Sequence, residues 1–151
     1  MSDERRFGLA EAHRFFAVEF HNRTRGLLDL AERSLEQDEL MVYTAHASCR
    51  HWLEVGTGVN HQRGEWLLAR VYAVLGRAEM AVEHANRCLS LTNQFAALME
   101  DFDWAFAFEA MARAHALAGN GGEAAQFRQL AEQAGAEIVD EEDRQLFFAD
   151  Y

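Results

Sequence analysis

Apolar and small residues recur along this chain at steps of three and four. From the N-terminal side the first series is Leu9, His13, Phe16, Phe20, Thr24, Leu27 and Ala31, one face of a helix. It predicts a long helix over about residues 8–34, bent near Gly26, since an interior Gly costs about 1 kcal/mol against Ala. Glu36, Gln37 and Asp38 open a second helix, because acidic residues suit the positive end of the helix dipole. Its predicted stripe is Val42, Ala45, Cys49 and Trp52. "VGTGVN" ends it, with Gly56 and Gly58 as the stop.

The stretch "EWLLARVYAVLGRAEMAVEHANRCLSLT", residues 65–92, reads as two helices around a tight turn. Trp66, Ala69, Tyr72 and Ala73 mark the first, which stops at Gly76. Ala81, Val82, Ala85, Cys88 and Leu89 mark the second, with Arg77, Glu79, Glu83 and Arg87 turned to water. A long helix is predicted next, over about 95–118. Phe102, Trp104, Phe106 and Phe108 alternate there as in a strand, yet their neighbours are Ala, Met and Glu, good helix formers. On a helix, Phe102 and Phe106 share one face and Trp104 and Phe108 another, so this helix is expected to lie between neighbours. "GNGG", 119–122, is a turn. Glu123 to Ala134 returns, and after Gly135 "DEEDRQLFFADY" forms a terminal helix.

Composition fits an all-α chain. Of 151 residues none is Pro, and half are hydrophobic, which suits uninterrupted helices and argues against disorder. The length predicts a single domain, 1–151. A net charge of −11 would be repelled by a phosphate backbone, so no nucleic-acid partner is expected. All basic residues are Arg and none is Lys, the signature of a GC-rich bacterial genome. Cys49 and Cys88 make no disulfide framework, which fits a reduced cytoplasm. No signal peptide and no membrane span are visible.

Small residues at fixed offsets within paired helices resemble the tetratricopeptide repeat. Leu68 and Ala69, then Tyr72, Gly76, Ala81 and Cys88, follow that motif in one unit; Phe108, Ala112, Gly119, Ala124 and Ala131 follow it in the next. His115 replaces the usual Tyr and Asn93 the closing Pro. Gly76 and Gly119 are farther apart than the repeat length of about 34 residues, so the linking helix should be extended. The resemblance covers 62–134, two units. It implies antiparallel helix–turn–helix pairs stacked as a short superhelix, with an N-terminal pair at 8–57 and a C-terminal segment at 137–151 as caps.

The same resemblance implies a function. Members of that family usually bind peptides on the concave face lined by the first helix of each unit. Here that face would carry Arg63, Trp66 and Arg70 from one unit and Phe106, Glu109 and Arg113 from the next. Arg70 and Arg113 hold equivalent places, and paired guanidiniums suit a carboxylate. The family's Lys and Asn carboxylate clamp is not matched, so chaperone-tail binding is not implied. The expected role is a non-catalytic binding or scaffold protein without cofactor, its partner a peptide or protein. The acidic C-terminal segment, apolar at Leu146, Phe147 and Phe148, is expected to dock on this groove, in its own chain or, giving a homodimer, in a twin's.

Two other readings use different residues. His46 and Cys49, three apart on one helix face, offer a thiolate–imidazole pair or half a metal site. Asp101, Asp103 and Glu109 offer acid–base carboxylates. Either would make a small helical enzyme or metalloprotein. A ligand-sensing regulatory domain working beside a separate DNA-binding protein is the third. Weighed against each is a satisfied core residue or a solvated edge. No His-x-x-x-His or Glu-x-x-His pair occurs among the seven His. Elemental analysis of the purified protein is therefore expected to find no stoichiometric transition metal; about one zinc, iron or nickel per chain would promote the metalloprotein.

Overall fold

The structure, a computed structural model, describes residues 6–151. They form seven α-helices and no strand among the described residues: α1 (Leu9–Leu28), α2 (Leu35–Val55), α3 (Gly58–Val74), α4 (Ala78–Gln94), α5 (Asp101–Leu117), α6 (Gly121–Ala136) and α7 (Glu141–Asp150), with a 3₁₀ turn at Ala96–Leu98. No helix among them is long and apolar enough to cross a membrane. The chain divides into two compact units, one ending at Thr57 and the other running Gly58–Tyr151. The boundary falls where the sequence ends its N-terminal helix pair.

In the first unit α1 and α2 pack as an antiparallel hairpin. Its buried positions are small or polar apart from Met41, and Phe16 and Phe20 meet the His51 ring across it. Thr24 Oγ1 meets Thr44 Oγ1 at 2.9 Å, the Ser48 hydroxyl donates to the Ala17 carbonyl at 2.7 Å, and His13 Nδ1 lies 2.9 Å from His51 Nδ1. Each polar group finds its partner across the hairpin, so burial of Thr24, Thr44 and Ser48 costs little. This corrects the expected α2 stripe. Met41, Thr44, Ala45 and Ser48 are the buried positions; Val42, Cys49 and Trp52 are only half-buried. The first helix also stops at Leu28, short of 34. Ser34 caps α2, its Oγ accepting from the Gln37 amide at 3.2 Å while Gln37 Oε1 accepts from the Ser34 amide at 2.9 Å, a reciprocal capping box. Arg33 bridges the turn, donating to Asp38 at 2.8 Å and to the Leu30 carbonyl at 3.3 Å.

The second unit is built from two hairpins, α3 with α4 and α5 with α6. Both turns close the same way. Gly76 at φ 73° and Gly119 at φ 80° take the left-handed conformation. Arg77 N then donates to Tyr72 O at 2.9 Å, and Asn120 N to His115 O at 2.8 Å, the helix-ending motif that Gly permits. The first helix starts earlier than expected, at Gly58, where a Cβ would lie 2.3 Å from the Phe95 ring. The predicted continuous helix over 95–118 is interrupted. The 3₁₀ turn and extended Met99 and Glu100 precede α5, and this inserted link explains why the two turn glycines stand so far apart.

Helices α3 and α5 run parallel. Arg63 pairs with Asp103, Trp66 with Phe106 and Arg70 with Glu109, stepping along both helices in one direction. That is the relation expected of the first helices of two successive hairpins. Alanine makes the approach possible: Ala105 and Ala107 are fully buried, while Phe102, Trp104, Phe106 and Phe108 are half-buried around them. The expected sandwich holds.

The hairpin of the first unit should weaken in acid. The two Nδ1 atoms of His13 and His51 share a proton well only when one ring is neutral. Partial burial, then His13, then Arg50 push the His51 pKa below its ordinary 6.5, against a smaller opposing pull from Glu54. Its neutral form is thus favoured in the folded chain, and stability contributed above pH 6.5 is lost as pH falls through that value toward the lowered folded one. Amide protection across 9–55, corrected for the intrinsic exchange rate at each pH, should fall between pH 7.5 and pH 5.5, and His51→Gln should flatten that dependence.

Candidate peptide-binding groove

Arg63, Trp66 and Arg70 recur at steps of three and four on α3, and Phe106, Glu109 and Arg113 do the same on α5. Because the two helices run parallel, the residues face one another in register. Arg70, Phe106 and Arg113 contact the docked helix α7, with Trp66 against Phe106 and Glu109 against the two arginines. Arg63 sits apart, donating twice to Asp103 at 2.9 and 3.1 Å with its guanidinium 5.1 Å from the centre of the Phe102 ring.

The polar half of the groove is a clamp. Arg70 Nη2 donates to Asp150 Oδ1 at 3.0 Å, and Arg113 Nη2 donates to the Asp150 carbonyl at 3.0 Å. Beneath them Glu109, 5% exposed, accepts from Arg113 and lies 3.7 Å from Arg70 Nη1. Burial pushes the Glu109 pKa up, while Arg113 and then Arg70 pull it back. A carboxylate at this depth is tolerated because two cations face it.

The apolar half is a socket. Phe147 is fully buried, packed with Ala105, Ala131 and Ile138. Its ring meets Phe106 edge-on at 5.1 Å, and Phe106 meets Trp66 edge-on at 5.5 Å. Gly135 forms part of the socket wall: a Cβ there would lie 2.3 Å from Phe147 Cε1. At the rim, Tyr151 donates to Glu132 at 2.8 Å and carries the Arg128 guanidinium over its ring at 4.8 Å. Burial, and the hydrogen bond to Glu132, raise the Tyr151 pKa to about 12. Of the apolar trio expected to dock, Phe147 alone is buried; Leu146 is 61% exposed and Phe148 42%. The docking is in cis.

Sequence reasoning missed three parts of this unit. Gly135 looked like a helix stop and is a packing position. Gln62 donates to Thr92 Oγ1 at 3.1 Å and to the Asp103 carbonyl at 3.2 Å, linking α3, α4 and α5. His84 Nδ1 lies 2.6 Å from Glu65 Oε2 and its ring stacks on Tyr72 at an 8° interplanar angle. Glu65 and Tyr72 stand seven residues apart, two turns along one face of α3.

Of the residues of the enzyme and metal readings, Glu109 is the carboxylate of this clamp and the others lie outside it. His46 is exposed and Cys49 half-buried on α2. Asp103 is committed to Arg63 and to the Glu100 amide at 3.0 Å. Burial raises the Cys88 thiol pKa, which disfavours a thiolate. Among the described residues, no three His, Cys, Asp or Glu side chains are grouped to hold a metal.

Set against known proteins, the chain matches no family model, no curated protein and no solved structure.

Gly135→Ala tests the socket. The added methyl overlaps Phe147 and is expected to cost about 1–3 kcal/mol. The melting temperature should fall and amide exchange over 141–150 should accelerate, with the α3–α4 hairpin unaffected. Unchanged protection of α7 would mean that Phe147 does not depend on this close approach.

Proposed function

We propose that the second unit is a non-catalytic, tetratricopeptide-like binding module that holds a helical peptide segment of a protein partner between α3 and α5, in the setting of a bacterial cytoplasm. One observation carries the reading: arginines from equivalent positions of two successive hairpins, Arg70 and Arg113, converge on one acidic residue of a helix lying in the groove. The duplicated turns at Gly76 and Gly119 and the parallel run of α3 and α5 support the repeat character. A site that grips backbone carbonyl, carboxylate and aromatic ring together recognises a structured segment of chain. It brings no nucleophile or acid–base pair to a bound group, since the groove's carboxylate, Glu109, is held by both arginines.

The test is selection of displayed helical peptides on the full-length protein and on its Arg70→Gln/Arg113→Gln variant, with circular dichroism confirming that the variant stays helical. Peptides enriched on the wild type should bind the folded variant at least about tenfold more weakly, since a hydrogen bond to a charged group contributes about 1.5–3 kcal/mol. No enrichment on either protein, or equal binding to both, would dismiss the groove as a binding site.

A further inference from the structure

Resting on that reading, we infer that α7 is a placeholder for the ligand, and that the groove selects a helix carrying an aromatic residue followed three positions later by a carboxylate. Phe147 and Asp150 are that pair: i and i+3 share a helix face, one filling the aromatic socket and the other the two-arginine clamp. Of the other side chains of α7, Arg144 donates to the Ile138 carbonyl and the Phe148 ring meets Phe147 edge-on. Glu141, Glu142 and Asp143 sit in its first turn, and Leu146 is largely exposed.

Three features make the seat reversible. A ten-residue helix is shorter than the roughly 12–15 residues at which isolated helices become even marginal in water, so α7 keeps its form by staying docked. Asp150 lies in its last turn, where a negative charge opposes the helix dipole, so the helix end depends on Arg70 and Arg113. The clamp also changes charge when α7 lifts. Seated, Arg70 faces the carboxylates of Glu109 and Asp150, while Arg113 faces Glu109 and the Asp150 carbonyl; vacated, both guanidiniums face Glu109 alone. The open groove is therefore locally cationic within a chain of net charge −11, and it attracts an acidic segment.

The short link between α6 and α7 sets the competition. Ile138 is buried and anchors the link, while Val139 is 87% exposed. Arg144 holds the first turn of α7 to the Ile138 carbonyl at 3.0 Å. A tether this short presents α7 to the groove at an effective concentration of about millimolar. An external helix making the same contacts then binds with an apparent affinity reduced by the closed fraction. A partner that adds contacts beyond the socket and clamp displaces α7.

The test uses the full-length chain and a fluorescent peptide copying residues 138–151, read by anisotropy, with amide exchange over 141–150 reporting whether α7 is seated. Asp150→Arg sets a third cation against Arg70 and Arg113 at a half-exposed position outside the core. It is expected to deprotect α7 and raise affinity for the peptide at least about tenfold over wild type. Peptides carrying Phe147→Ala or Asp150→Asn should lose most of that gain. If α7 stays protected in Asp150→Arg and affinity is unchanged, the latch is wrong while the binding module stands. If α7 is released and no peptide binds, the groove is no ligand site and both readings fail. A wild-type dimer in light scattering that Asp150→Arg dissolves would make a second copy the occupant and overturn the external helix.

Discussion

Alanine lets α5 run through the middle of the second unit. Ala105, Ala107, Ala110, Ala112 and Ala114 are all buried, and α3, α4, α6 and α7 all pack on this one helix. A methyl group loses no rotamer freedom on burial and holds the backbones of neighbouring helices close. The larger side chains are thereby displaced to the margins of each contact, which is why the aromatics of α5 are half-buried and why Phe106 is available to meet Trp66 on one side and Phe147 on the other. A helix surrounded in this way leaves little room for charge, and two carboxylates of α5, Asp103 and Glu109, are nevertheless buried.

Those carboxylates fix how α3 lies on α5. Each would be costly alone, and each is met by guanidinium groups: Asp103 by Arg63, Glu109 by Arg113 and Arg70. A slide of one helix turn would break both pairs that cross the contact, Arg63–Asp103 and Arg70–Glu109, and leave Arg113–Glu109, within α5, intact. The charges thus select a register that packing alone would leave open. The first unit reaches a similar end by other means. Its hairpin aligns Thr24 with Thr44, Ala17 with Ser48 and His13 with His51, using neutral hydrogen bonds where the second unit uses ions.

Periodicity made the helix pairs and both glycine turns legible, because a helix face and a left-handed Gly leave local marks. Arg70 and Arg113 stand at matching places, each six residues before the glycine that ends its helix. What escaped has a physical reason. A stripe search favours Val42, Cys49 and Trp52 over Thr44 and Ser48, since it cannot know that two hydroxyls will find partners on α1. The end of α1 was placed late because Leu30 and Ala31 continue the apolar series, while the signal that stops it, the Ser34–Gln37 capping box, lies in the helix that follows. The break before α5 is carried by Glu100, an unusual cap whose partner is Asp103. Close approaches such as Gly135 against Phe147 depend on where a distant helix lands, and no local pattern records them.

Asp150 joins these strands of argument. By local rules it is misplaced, an acid in the last turn of a helix whose first turn already holds three. A sequence whose local choices oppose its local structure either loses stability or is answered by something distant. Here the answer is the pair of arginines that α5 has already drawn together around Glu109. The same buried carboxylate that fixes the register of α3 on α5 therefore also holds Arg70 and Arg113 together where they meet Asp150. Helix register and the seating of α7 draw on one cluster. A change at Glu109 would for that reason disturb helix register and groove together, whereas a change at Asp150 reaches the groove alone.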